Sequence, residues 1–121
     1  MASNMQFLVV EDDADGEFLL GRSLLRRYPR ANVCVFPDAN EALAAAKSQT
    51  WTGFIVHRAL DLDGIEMIKR LRSSDRAVPI VMVSGRDQRA AALAAGANAF
   101  LHYAEWPRLA SCFAAESEPL P

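Results

Sequence analysis

The sequence predicts an α/β domain in which helices cover both faces of a five-stranded parallel sheet. Three observations carry that prediction. Five short apolar runs, QFLVV (6–10), NVCVF (32–36), GFIVH (53–57), PIVMV (79–83) and NAFLH (98–102), have strand length and near-continuous apolar character. Strands buried on both faces read this way. Helical patterns fill the gaps between them, and strict alternation of strand and helix builds a parallel sheet with crossover helices.

The elements follow in order. The first helix runs from about Ala14 to Tyr28, its apolar stripe drawn from Phe18, Leu19, Leu20, Leu24 and Leu25, and Pro29 follows its end. The second is alanine-rich and runs from Asp38 to about Gln49, with Glu41 at capping-box spacing from Asp38. The third begins at Asp63, has Glu66 at the same spacing, and carries Ile65, Ile68 and Leu71. The fourth, QRAAALAAG, stops at Gly96. The fifth starts near Pro107, a favourable first-turn residue, and carries Leu109, Cys112 and Phe113. One domain over residues 5–115 accounts for these elements, and the tail ESEPLP (116–121) reads as disordered.

Composition bounds the function. A chain of 121 residues is one domain by length, and 51% hydrophobic with 23% charged residues is a globular balance. A net charge of −2 gives no electrostatic case for nucleic-acid or membrane binding. Cys34 and Cys112 are far apart and form no CxxC pair. Cys34, inside an apolar run, reads as a buried reduced thiol, which fits a cytoplasmic location. The N-terminal MASNMQFLVV lacks the basic segment and long apolar run of a signal peptide or membrane span.

In parallel α/β sheets, functional groups gather at the carboxyl ends of the strands. Glu11 and Asp12 lie on the first strand-to-helix turn, where adjacent carboxylates repel and favour a cation, a proton or an arginine between them. His57 and Arg58 end the third run, Ser84 and Gly85 the fourth, His102 and Tyr103 the fifth. No phosphate-binding glycine loop, nucleophile elbow or HExxH motif is present. EDDADG and ALDLDG are not calcium loops, because the twelfth position falls on Arg22 or Arg70 where a glutamate is needed.

The chain resembles a response-regulator receiver domain, the family of the chemotaxis protein CheY. FLVVEDD, GIEMIKRLR, VPIVMVSGRD, GANAFL and EWPRL carry the resemblance, in order, over about residues 5 to 115. It implies a flavodoxin-like (βα)5 three-layer sandwich with strand order 2-1-3-4-5. It also implies two-component or phosphorelay signalling. In that family an aspartate ending strand three accepts a phosphoryl group from a histidine kinase. An acidic pair holds Mg²⁺, and a hydroxyl and a lysine hold the phosphoryl oxygens. An aromatic residue on strand five then swings inward and changes the partners of the face made by helix four, strand five and helix five.

Carried over residue by residue, the resemblance is partial. Glu11 and Asp12 match the metal-holding pair, Ser84 the hydroxyl and Phe100 the switch aromatic. His57 falls at the acceptor aspartate and Tyr103 at the lysine, with Ala104 replacing the proline that usually follows. The loop after strand three and the stretch Ser84–Gly96 are both shorter than usual. The sequence thus reads as an atypical receiver, a pseudo-receiver, that is not an enzyme and acts by protein–protein contact independently of aspartyl phosphorylation.

Each residue has more than one reading. Glu11 and Asp12 are either a weak site for Mg²⁺ or another divalent cation, or a solvated helix-start cluster, and no cofactor is required. His57 is a hydrogen-bonded strand-end side chain, the partner of Glu11 or Asp12, or a transition-metal ligand with both. Arg58 reaches the acidic pair or points to solvent. Asp63 reads as a helix cap and Asp61 as a loop carboxylate, rather than substitute acceptors. Ser84 is a turn residue or vestigial ligand, Phe100 core or rotamer switch, and Tyr103 a filler of the space the lysine leaves. Trp106 is a partner-binding anchor or a side chain packed on helix five. The partners implied are a histidine kinase, an effector or a second copy of the chain. The alternative class is a receiver still regulated by metal or phosphorylation at a substitute residue, or a small metal-dependent catalyst at Glu11, Asp12 and His57.

Overall fold

A computed structural model describes residues 5–113. It holds five strands in the order β2-β1-β3-β4-β5, all pairings parallel. The strands are β1 (Gln6–Val10), β2 (Asn32–Phe36), β3 (Gly53–Val56), β4 (Ile80–Ser84) and β5 (Ala99–His102). Between them run α1 (Ala14–Arg27), α2 (Ala39–Ser48), α3 (Gly64–Ser74) and α4 (Arg89–Ala95), and a C-terminal 3₁₀ helix spans Tyr103–Phe113. This is the flavodoxin-like sandwich.

Strand alternation sorts the core into two layers. Leu8, Val10, Phe54, Val56, Ile80, Met82 and Phe100 face α2, α3 and α4, meeting Ala42, Met67, Ile68, Leu71 and Ala92. Phe7, Val9, Ile55, Val81, Val83 and Leu101 face the other way, onto Leu20 and Leu24 of α1 and Leu109, Ala110 and Phe113 of the C-terminal helix. The helix starts are sequence-encoded. Asp13, Asp38 and Asp63 each accept a backbone N–H from the first turn of the helix they precede. Gly96 ends α4 at φ +119°, a conformation that costs a residue with a Cβ.

Three expectations need correction. β2 is an edge strand, so its side chains are half-buried or exposed, and Cys34 is half-buried rather than buried. Phe18 and Leu25, assigned to the apolar stripe of α1, are 62% and 40% exposed, because only the Leu20–Leu24 line meets the sheet. The third strand stops at Val56, leaving His57 in the following loop. The last helical stretch opens with a short extra turn from Tyr103 and breaks at Glu105, whose backbone is not helical; the segment after that break is 3₁₀ in type and carries Pro107 in its first turn, as the sequence predicts. The expected disordered tail, 116–121, lies outside the described residues.

One clasp was not legible beforehand. Arg72, near the end of α3, donates to the carbonyls of Gly96 (3.0 and 2.9 Å), Asp75 (3.0 Å) and Val78 (2.8 Å) and to Asn98 Oδ1 (2.9 Å). Asn98 Oδ1 in turn accepts from the backbone of Ile80 at 2.8 Å. The end of α3, the start of β4, the end of α4 and the approach to β5 are thus tied through one planar guanidinium. Arg72→Lys keeps a cation but loses the fork. The expected cost is about 2 kcal/mol, read as a melting temperature lower by roughly 5–10 °C with an unchanged circular dichroism spectrum in the cold.

Candidate functional site

The carboxyl ends of β1, β3, β4 and β5 open into a cleft of about 740 Å³, lined by Asp12, Asp13, Asp15, His57, Arg58, Ser84, Arg86, Gln88 and Tyr103 among others. The backbone fixes its floor. Glu11 N–H donates to Phe36 O (3.1 Å), prolonging the β1–β2 pairing by one residue. The amides of both His57 (3.0 Å) and Arg58 (3.2 Å) donate to the carbonyl of Val10. That shared carbonyl seats the end of β3 beside the acidic turn.

The two carboxylates behave differently. Glu11 is buried and faces inward. One oxygen meets His57 Nδ1 in a hydrogen bond and the other accepts from Asp13 N–H at 3.2 Å. Asp12 is 10% exposed at its side chain, and its Oδ1 lies 3.2 Å from Arg58 Nε. That contact is an ion pair without aligned hydrogen-bond geometry, and Oδ1 is buried with no hydrogen-bond donor. Arg58 itself is 62% exposed, so it reaches the acidic pair from the solvent side.

Tyr103 closes the other side of His57. The two rings stack with centroids 4.7 Å apart and planes 15° apart. Burial raises the Tyr103 phenol above its ordinary value, and Glu11, Asp13 and Asp15 add to it. His102 points outward and accepts from Ala104 N–H at 3.2 Å, so it shares no site with Tyr103.

Toward α4, the Ser84 hydroxyl donates to Gln88 Oε1 (2.9 Å) and accepts from Arg86 N–H (3.1 Å). Phe100 is buried among the α3- and α4-facing core residues, and the Arg89 guanidinium lies over its ring at 5.2 Å. Asp61 and Asp63 are committed elsewhere. Asp61 accepts from Ala39 N–H, the first amide of α2, at 2.7 Å, and Asp63 accepts from Ile65 (3.1 Å) and Glu66 (3.2 Å). The Asp61 cap crosses from a neighbouring loop, so no local spacing signals it. Trp106 is half-buried and lines a groove with Ser23, Arg26 and Arg27 of α1. That groove opens toward α1.

The comparisons with known proteins fit this architecture. The profile described as "Response regulator receiver domain" matches residues 7–103. The chain belongs to that family. It is similar to the transcriptional regulatory protein PrrA of Mycobacterium tuberculosis, 35% identical over 98 residues, covering 78% of this chain and 41% of that protein. It is also similar to the transcriptional regulatory protein QseB of Haemophilus influenzae, 29% identical over 103 residues, covering 80% of this chain and 45% of that one. The chain thus spans less than half the length of these regulators.

Among solved structures, the receiver domain of the sensor histidine kinase PA1611 from Pseudomonas aeruginosa, described with a magnesium ion coordinated in its active-site cleft, aligns with a TM-score of 0.76. The identity is 22% and the alignment covers 94% of this chain and 100% of that one. The Mn²⁺-bound response regulator Rcp1 aligns at 0.78, with 17% identity, over 97% of this chain and 99% of that one. At these identities the likeness shows the fold.

A divalent cation is what the family implies for this receiver's cleft, and the residues as arranged do not fit one. Glu11 is turned under the helix and spent on His57 and Asp13. Among the described residues, no group of three or more His, Cys, Asp or Glu side chains is placed to hold a metal.

The raised phenol gives a pH test. Its contribution to stability is fully present below the unfolded-state tyrosine value of about 10 and is lost as pH rises through the higher folded-state value. Measured against Tyr103→Phe, the wild type should lose stability selectively above about pH 10. An alkaline phenolate absorbance transition, absent from the variant, should mark the loss.

Proposed function

We propose that this domain is an atypical receiver, a pseudo-receiver, that serves two-component or phosphorelay signalling by protein–protein contact without aspartyl phosphorylation. The observation that supports it is the end of β3. An imidazole stands where the family places its acceptor carboxylate, bound through Nδ1 to Glu11 and covered by the Tyr103 ring. No aspartyl phosphate forms at position 57 without an aspartate there. The two aspartates of the loop after β3, Asp61 and Asp63, are engaged as helix caps. Receivers are signalling modules, and this one performs no catalysis of its own on this reading.

The partner is a histidine kinase, an effector or a second copy of the chain, met through the face of α4, β5 and the C-terminal helix, in the cytoplasm. Trp106 extends the contact toward α1. Neither nucleic acid nor membrane is a partner of this domain. Its formal charge is −2, and no helix among the described residues is long and apolar enough to cross a membrane.

The test is incubation with acetyl phosphate and Mg²⁺, read by intact-protein mass spectrometry. The expected result is no phosphoryl adduct on the wild type, with any adduct confined to His57→Asp. An adduct on a wild-type carboxylate would sink the reading in favour of a substitute acceptor.

A further inference from the structure

We infer that Glu11, Gly16 and His57 form one buried unit that takes the place of the divalent cation, with Gly16 as the residue that makes the exchange sterically possible. The inference deepens the reading above and stands on its own geometry. Gly16 is in the first turn of α1 and is buried. A Cβ there would collide with the Glu11 carboxylate, with even the farther oxygen, Oε2, only 2.9 Å away. The inward Glu11 therefore lies in space that any other residue at position 16 would fill.

Each acidic residue has its own side-chain nitrogen. Glu11 takes His57 Nδ1 in a hydrogen bond, and Asp12 takes Arg58 Nε at 3.2 Å. The two halves differ in strength. The Glu11 half is buried, hydrogen-bonded and capped by the Tyr103 stack, so opening it exposes a buried carboxylate and an imidazole together. The Asp12 half rests on a mostly exposed arginine and leaves Oδ1 without an aligned donor. Of the acidic pair, an incoming divalent cation would find only Asp12 free to turn to it, because Asp13 beside it is held as the cap of α1 by Gly16 N–H. One carboxylate is too few for a hard cation that keeps its geometry with several oxygen ligands.

Gly16 N–H also donates to the Asp13 cap at 3.1 Å, a bond that any residue but proline could make there, so what calls for glycine is the space beside Glu11. Glycine inside a helix is unfavourable relative to alanine, and here φ is negative, so no turn demands it. Its one distinctive contact is with Glu11.

Two measurements test the inference. The first is an amide NMR and thermal-melt titration with MgCl₂. The wild type should show no localised shifts at Asp12, Asp13 or residues 56–59 and no change in melting temperature. His57→Asp repels Glu11 outward and adds a carboxylate, so it should bind Mg²⁺ at least about tenfold more tightly and melt higher when Mg²⁺ is present. Wild-type binding at Glu11 and Asp12 within about threefold of the variant would overturn the inference. The second is a stability cycle. Gly16→Ala should lower the melting temperature in the wild type, and in a Glu11→Ala background it should be neutral or raise it. An equal loss in both backgrounds would show that Gly16 serves something other than Glu11. The phosphoryl-adduct experiment reads a different quantity, so either reading can fail without the other.

Discussion

The site is organised around a single buried carboxylate. Glu11 follows β1 without a break because its amide still pairs with Phe36, and that forces its side chain beneath the first turn of α1. A carboxylate there needs partners, since an uncompensated buried charge costs several kcal/mol. The fold supplies them from two directions. Asp13 N–H, at the helix entry, takes one oxygen, and His57, seated just past β3 by its own amide's bond to the Val10 carbonyl, takes the other. Once the imidazole is fixed, its open face is covered by the next available ring, Tyr103, at the end of β5. Three strand ends are thereby joined around one acid.

Much of this architecture was readable because it obeys local rules. Apolar runs of strand length, aspartates before helices and glycine after α4 each act within a few residues, and the structure places them as the patterns predict. What was misread depends on neighbours the sequence does not announce. Strand β2 carries the same apolar pattern as β1, yet its place at the sheet edge leaves Cys34 half-buried. Phe18 lies in an apolar helix stripe and faces solvent, because only the Leu20 and Leu24 line meets the sheet. Asp61, read as a loop carboxylate, and Arg72, which no local pattern marks, both bond partners more than twenty residues away. Position 16 carried no signal, since glycine in a first helical turn has meaning only when the carboxylate beside it is seen to be tucked inward.

The cleft and the α4 face are joined by short contacts. Ser84 ends β4 and gives its hydroxyl to Gln88, the residue that precedes α4. The next residue, Arg89, lies over Phe100, which β5 holds inward opposite Met82. Gln88 and Arg89 thus place the start of α4 between the hydroxyl and the aromatic that the family resemblance assigns to switching. The shortened stretch from Ser84 to Gly96 is closed at its far end by Arg72, which grips the Gly96 carbonyl twice. Helix α4 is consequently held at both termini, by Ser84 through Gln88 at one and by a guanidinium at the other.

That arrangement bears on how such a domain signals. A ligand shifts a two-state equilibrium only by its differential affinity for the two states, and a swing from one state to the other takes a difference of about 5.5 kcal/mol. In the family the resemblance describes, that difference comes from a cation meeting free carboxylates and a phosphoryl group meeting a free hydroxyl and a lysine. Here the Glu11 carboxylate is already bound by the protein's own nitrogen, and the Ser84 hydroxyl is already spent. Little remains for an external ligand to reward in one state over the other. On the reading proposed here, the contact face is presented continuously. Control then passes to the supply of the domain and of its partner, and a mutation that frees Glu11 would restore the cleft's capacity to sense a cation before it restored any capacity to be phosphorylated.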